Sequence, residues 1–269
     1  MDWLRVHRGA APLIVAFPHG GTGLAGLDAQ FVSPWLAQRD ADWWIAALYA
    51  FARDLGATTV ATGISRSVID CNRDPSGVSL YPGQATTELV PTTTFDGDPL
   101  YAGALPDEAA VAARRRAYFD PYHAALTAEI ARLRAMHPRV VLYDAHSIRS
   151  RIPRLFDGAL PQFAIGTNSG ASCAVELEAA IAEECAASGL GHVVNGRFKG
   201  GWTTRHYGDP EQGVHAVQME LALRGYVDEP VSIDPTNWPA PLDPAPVIAP
   251  TLRRVLDAAL AFAISGESA

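Results

Sequence analysis

"VVLYDAHSIRS", residues 140–150, decides how the chain is read. It opens with four apolar residues, and Asp144, His146, Ser147 and Arg149 then follow within a few positions. A short run rich in Val, Leu and Tyr predicts a buried strand. A histidine set among polar groups at its end has two readings. One is a strand running out into a solvated loop, and the other is a site assembled where the strand ends.

The flanking sequence repeats the pattern. "PLIVAF" (12–17) is a strand that stops at the turn-forming "PHGGTG", and "ATTVATG" (57–63) is a second strand. Between them, residues 40–56 predict one helix, with Trp44, Leu48, Phe51 and Leu55 on its apolar face and Gly56 as its stop. Residues 106–136 read as helical with a kink or boundary at Pro121, 173–189 and 250–265 as further helices, and "HVVNG" (192–196) and "HAVQMELAL" (215–223) as strands. Strands interleaved with helices predict an α/β fold, with a mixed, mostly parallel sheet flanked by helices. With no repeat or linker, residues 1–269 read as one domain. The exception to regularity is a loop of about 65–105, too long to be idle and anchored by Leu80, Tyr81, Leu89, Phe95 and Tyr101. In such sheets ligands collect beyond the carboxyl ends of the strands.

Composition narrows the function. A formal net charge of -8 and a sequence pI of about 5.4 argue against a nucleic-acid partner. No run approaches the roughly 20 apolar residues that span a bilayer, and the amino terminus lacks the pattern of a signal peptide. Three cysteines without a C-x-x-C pair predict reduced thiols and a cytoplasmic protein.

Chemistry-bearing residues recur where apolar runs end. His19 follows "LIVAF", His146 follows "VVLY", and Glu220 stands within "HAVQMEL". Two histidines and a carboxylate from different strands suit a Zn²⁺ ion with one position left for water, although histidines satisfied within loops fit the same pattern. "SRSVIDCNRDPSG" (65–77) gathers Arg66, Asp70, Asn72 and Arg73, as either a surface turn or an anion pocket. "NGRFKGGWTTRHYG" (195–208) sets Arg197, Lys199, Arg205 and His206 in a glycine-rich loop without P-loop spacing. The absence of G-x-S-x-G weakens a serine-hydrolase reading. The arginines alone would equally serve a non-catalytic binding protein for an acidic amino acid.

"FPHGG", "SRSVIDCNRDPSGVSLYPGQATTELVPTTTFDGDPLY", "YDAHSIRSRIPRLFDGALPQFAIGT", "NGRFKGGWTTRHYG" and "GVHAVQMELA" together resemble the N-formylglutamate amidohydrolase family, over about residues 12–225. The resemblance implies a fold similar to zinc carboxypeptidases and aspartoacylase, of the phosphorylase/hydrolase-like kind. It also implies metal-dependent hydrolysis of N-formyl-L-glutamate to formate and L-glutamate, a step of histidine degradation. It assigns one divalent metal, Zn²⁺ by preference, to His19, an acidic residue and His146, and proton transfer to Glu220. Carboxypeptidases place the acidic ligand three residues after the first histidine, where this chain has Thr22. Asp42 is the substitute, with Asp40 as its alternative. The substrate's two carboxylates are expected to meet Asn72 with Arg73, and Arg205 with Arg149. Arg66, Arg151 and Arg197 stay open between structural and binding roles, as does Asp144 between orienting a histidine and closing a turn. A related amidohydrolase for another N-acyl amino acid would use the same residues.

Overall fold

The apolar runs become strands of one seven-stranded sheet. A computed structural model describes residues 2–80 and 82–265 of the chain. In chain order the elements are β1 (Leu4–His7), β2 (Leu13–Phe17), α1 (Pro34–Gln38), α2 (Ile45–Leu48), β3 (Thr58–Thr62), α3 (Glu108–Arg114), α4 (Asp120–Arg134), β4 (Val140–Ile148), β5 (Phe163–Gly166), α5 (Val175–Ala187), β6 (His192–Val194), α6 (Trp202–Tyr207), β7 (Val214–Ala222) and α7 (Ala249–Ser265). The strand order is β1-β3-β2-β4-β7-β5-β6. Four neighbouring strands, β3, β2, β4 and β7, are parallel, while β1 and β5 each run antiparallel to the strand they join. The sheet is mixed and mostly parallel, as expected. Among the described residues, no helix is long and apolar enough to cross a membrane.

Strand alternation sends side chains to two separate cores. Leu13, Val15 and Phe17 of β2, with Val141 and Tyr143 of β4, pack against α2, α5 and α7 on one face. Ile14, Ala16, Val140, Leu142, Val214 and Ala216 face α4 through Tyr122, Leu126, Ile130 and Leu133. That second face positions the site. Along it β4 reads Val140, Leu142, Asp144, His146, and β7 reads Val214, Ala216, Gln218, Glu220, paired residue by residue in parallel register. Both strands thus turn from apolar to polar at the same height. Asp144, His146 and Ser147 lie inside β4, which continues to Ile148, and only Arg149 and Ser150 of the quoted stretch fall beyond it.

Several elements depart from the sequence reading. β1 and β5 were not expected, since each has four residues and β1 is mostly exposed. The helix expected over 40–56 is broken: Trp44 takes a left-handed backbone (φ 64°), and only Ile45–Leu48 is α-helical, followed by a 3-10 turn at Ala50–Arg53. The buried face is Ile45, Leu48, Tyr49 and Ala52, while Trp44 is 38% exposed. Its indole N–H donates to the Ala240 carbonyl at 2.8 Å. Pro121 marks a boundary, as expected, standing in the first turn of α4. A π-helical turn at Arg115–Phe119 joins α3 to α4, and its wider winding eases the clash of a proline ring with the carbonyl four residues back.

The long loop has little regular structure but is held down by buried Leu89, Val90, Phe95, Leu100 and Tyr101. Tyr81 lies outside the described residues.

Candidate active site

His19, just beyond β2, and His146 on β4 bring their inner ring nitrogens together, Nδ1 to Nδ1, at 3.0 Å. Asp42 Oδ2 stands 3.2 Å from His146 Nδ1 and 3.8 Å from His19 Nδ1. The turn ahead of α2 delivers that carboxylate. Asp42 N–H donates to the His19 carbonyl at 3.0 Å, and Ser147 N–H donates to Asp42 Oδ2 at 3.0 Å. The outer nitrogens are held just as firmly, His19 Nε2 by Asp70 at 2.6 Å and His146 Nε2 by Asp144 at 2.9 Å. Arg66 Nη2 fixes the other oxygen of Asp70 at 2.7 Å. Asp42 therefore joins the histidines. Asp40 does not, being engaged with Phe95 N–H at 2.6 Å and close to Arg39 and Arg149.

When the outer nitrogens donate to Asp70 and Asp144, both Nδ1 atoms present lone pairs to each other and to a carboxylate. Such a buried cluster is stable only with positive charge at its centre. A tetrahedral Zn²⁺ with bonds of about 2.0–2.2 Å would set its donors roughly 3.3–3.5 Å apart, and the observed separations bracket that value. The donor set His19–Asp42–His146 fits a metal ion; its donor atoms all lie within 4.8 Å of one another.

Protonation follows from the same contacts. Burial and the neighbouring Arg66 lower His19 to about 4, leaving it neutral. Burial also pulls His146 down, but Asp144 and then Asp42 outweigh it and hold the imidazole well above its usual range. In the absence of a cation a proton there supplies the missing charge. Burial would raise Asp70, yet Arg73, His19 and Arg66 keep it well below the usual carboxylate range. Glu220, opposite His146 in the register, is pushed up to about 7 by burial, an effect that His146 partly offsets and Asp42 reinforces.

His19, His146, Gln218 and Glu220 line one cleft, and Asp42, itself fully buried, stands against the two histidines. Arg66, Arg73 and Arg197 line the same cleft together with Phe95, Ile148, Leu155 and Phe198, the Arg66 guanidinium lying 4.7 Å from the Phe95 ring centre and that of Arg197 5.3 Å from Phe198. Two expected substrate arginines are not among the lining residues. Arg149 points to Asp96 at 2.6 Å and Asp40 at 3.5 Å, an ion-pair group that pins the long loop. Arg205 sits on α6 with its Nε donating to the Gly200 carbonyl at 3.0 Å. Asn72 does line the cleft, but its amide is already engaged. It donates to Asp144 Oδ2 at 3.1 Å and accepts from Thr203 N–H at 2.8 Å. Thr22 takes no part, its carbonyl accepting from Gln38 at 2.9 Å.

Sequence reasoning gave no site role to Asp70 as the partner of His19, or to Gln218. A signal existed for Gln218, since two polar residues separated by one apolar residue in a buried run share a face. Asp70 carried none: it lies 51 positions from His19, and only folding brings them together.

Paired histidines and a carboxylate, set beside a buried acid at the ends of parallel strands, define a hydrolytic centre in an α/β enzyme. The chain belongs to the N-formylglutamate amidohydrolase family, whose model matches residues 11–227. It is 50% identical over 229 residues to an N-formylglutamate deformylase of Pseudomonas aeruginosa, covering 84% of this chain and 86% of that protein. An N-formylglutamate deformylase of Pseudomonas putida is 47% identical over 232 residues, covering 84% and 85%. In fold, it is similar to the crystal structure of N-formylglutamate amidohydrolase from Ralstonia eutropha JMP134, with TM-score 0.78, 23% identity and coverage of 100% and 99%.

Proposed function

We propose that this protein hydrolyses N-formyl-L-glutamate to formate and L-glutamate, using one divalent cation, Zn²⁺ by preference, held by His19, Asp42 and His146. The observation that carries the reading is the convergence of those three donors, two of which line a cleft that also holds Glu220 and arginines. The names and identities of the two Pseudomonas relatives support the substrate. The three cysteines, all buried and free, fit a reducing cytoplasm.

The cation, when bound, supplies Lewis acidity to the formyl oxygen and acidifies a water to near neutral pKa. Glu220 takes a proton from the attacking water, whose oxygen forms a bond to the formyl carbon. As the carbon–nitrogen bond breaks, Glu220 returns the proton to the departing amine nitrogen, so that formate and the free amino acid leave. Arg66, 3.6 Å from Asp42, brings fixed positive charge near the carbonyl oxygen that gains negative charge. Arg73 and Arg197 receive the two carboxylates. Both are already oriented by backbone carbonyls, Arg73 by Thr87 at 3.0 Å and Arg197 by Leu155 at 2.9 Å and Ala85 at 2.7 Å.

The test is release of the free amino acid from N-formyl-L-glutamate compared with N-acetyl-L-glutamate, N-formyl-L-alanine and N-formyl-L-norvaline. Preference for the first over the two N-formyl substrates that lack the second carboxylate, by at least a hundredfold in kcat/KM, is expected, since a site built to pair a polar group discriminates strongly against a substrate without it. Equal rates with N-formyl-L-alanine would sink the two-arginine assignment.

A further inference from the structure

β7 carries one more inward polar residue that the mechanism leaves unused. Gln218 is only 4% exposed and lies two residues before Glu220, on the same face of the strand. Its Nε2 donates to Glu220 Oε2 at 3.1 Å, and its Oε1 accepts from Gly201 N–H at 2.7 Å. The second contact fixes the first. A backbone N–H only donates, so the carbonyl end of the amide must face Gly201 and the NH₂ end must face Glu220.

Gly201 is itself held in place. A Cβ at that position would overlap the Asn72 carboxamide. Asn72 in turn donates to Asp144, the partner of His146. One glycine therefore abuts both halves of the centre, through Gln218 to Glu220 and through Asn72 to the histidine side.

A glutamate has three rotatable side-chain bonds, and the Gln218 amide holds one oxygen of the Glu220 carboxylate. We propose that Gln218 is a positioning residue for Glu220: it ties down one carboxylate oxygen so that the other is presented to the attacking water. The inference rests on the deformylase reading above. A neutral donor suits the task because it leaves the charge of the carboxylate intact, and hydrogen bonds to an ionised group are the stronger kind.

The experiment is a double-mutant cycle on the metal-loaded enzyme with Gln218→Met, Glu220→Gln and both together. Methionine keeps the length of the side chain and removes the donor. Gln218→Met is expected to lower kcat about 10–100-fold, the usual effect of losing such an outer partner, with KM and metal content within about twofold. In the Glu220→Gln background the same change should add almost nothing, because the two residues act as a unit. Additive losses, or a loss confined to KM, would overturn the proposal. A crystal structure of Gln218→Met gives a readout independent of turnover. The Glu220 carboxylate should leave its present orientation, and an unmoved carboxylate refutes the positioning role. Should the methionine variant fail to fold, Gln218→Asn, whose amide is too short to span Gly201 and Glu220, is read in the same ways. A wild type that releases no formate would count against the substrate reading alone, since the crystallographic comparison still decides the role of Gln218.

Discussion

At the scale of single residues, the site is a problem in charge. Asp42, Asp70, Asp144 and Glu220 are all buried close to two histidines, and Arg66 and Arg73 are the guanidinia nearest Asp70. Asp70→Ala removes the acceptor that orients His19, and zinc affinity should fall about 10–100-fold in competition with a chromogenic chelator. Glu220→Gln should lower kcat by about 10²–10⁴-fold, the range for loss of a general acid–base. The pH profile follows from the direction of the shift. Glu220 works as a base only when ionised, and burial raises it to about 7. In the acid limb kcat/KM therefore falls as pH drops through neutrality, and a bound cation, which favours the carboxylate, moves that limb lower. Glu220→Gln should abolish the limb, and its persistence would assign it to another group. His19, His146 and Glu220 were legible in the sequence because each is polar at or beside an apolar run. The contacts of Arg149 were not legible, because a guanidinium beside a site motif looks the same whether it faces a cleft or an aspartate. Only the fold shows that Arg149 meets Asp96.

Among elements, the central parallel strands were the most readable. Buried on both faces, they give continuous apolar runs, and 12–17, 57–63 and 215–223 all returned as strands within a residue or two. β1 escaped notice as an exposed edge and β5 as a four-residue strand. The segment 40–56 has helical periodicity, but its first turn is diverted to bring Asp42 to His19, so the site overrides local pattern. The loop carrying His19 shows a related constraint. A Cβ on Gly21 would meet the backbone of Gly63 and Ile64 at about 2.5 Å, whereas nothing lies within 4 Å of one on Gly103. Gly21→Ala should destabilise the fold by about 1–3 kcal/mol through overpacking, and Gly103→Ala by less than about 0.5 kcal/mol. Urea denaturation compares them, and equal midpoints would contradict the close approach of the two loops.

The whole molecule should lose stability in acid over two overlapping ranges, the upper set by the buried histidines His19, His123 and His215 and the lower by depressed carboxylates such as Asp70. His123, wedged between Tyr207 and the Cys71 carbonyl, is lowered to about 3 by burial. Because its folded value lies below the usual 6.5, the unfolded chain binds that proton more tightly. Its contribution is complete above pH 6.5 and is lost as pH falls towards 3. Asp70, also depressed, contributes fully above its ordinary 3.8 and is lost below it. Denaturation at a series of pH values should show His123→Gln making the upper range shallower, while the loss due to Asp70 below its ordinary 3.8 persists. A cation bound only by the native state adds stability by mass action, about 2.7 kcal/mol at a free concentration 100 times Kd. The most direct test of the central claim measures metal content and formate release together, on wild type and His146→Ala, before and after chelation. One ion per wild-type chain is predicted, with release abolished by the chelator and restored by zinc, and with both absent in His146→Ala. Full formate release from a metal-free wild-type chain would contradict it.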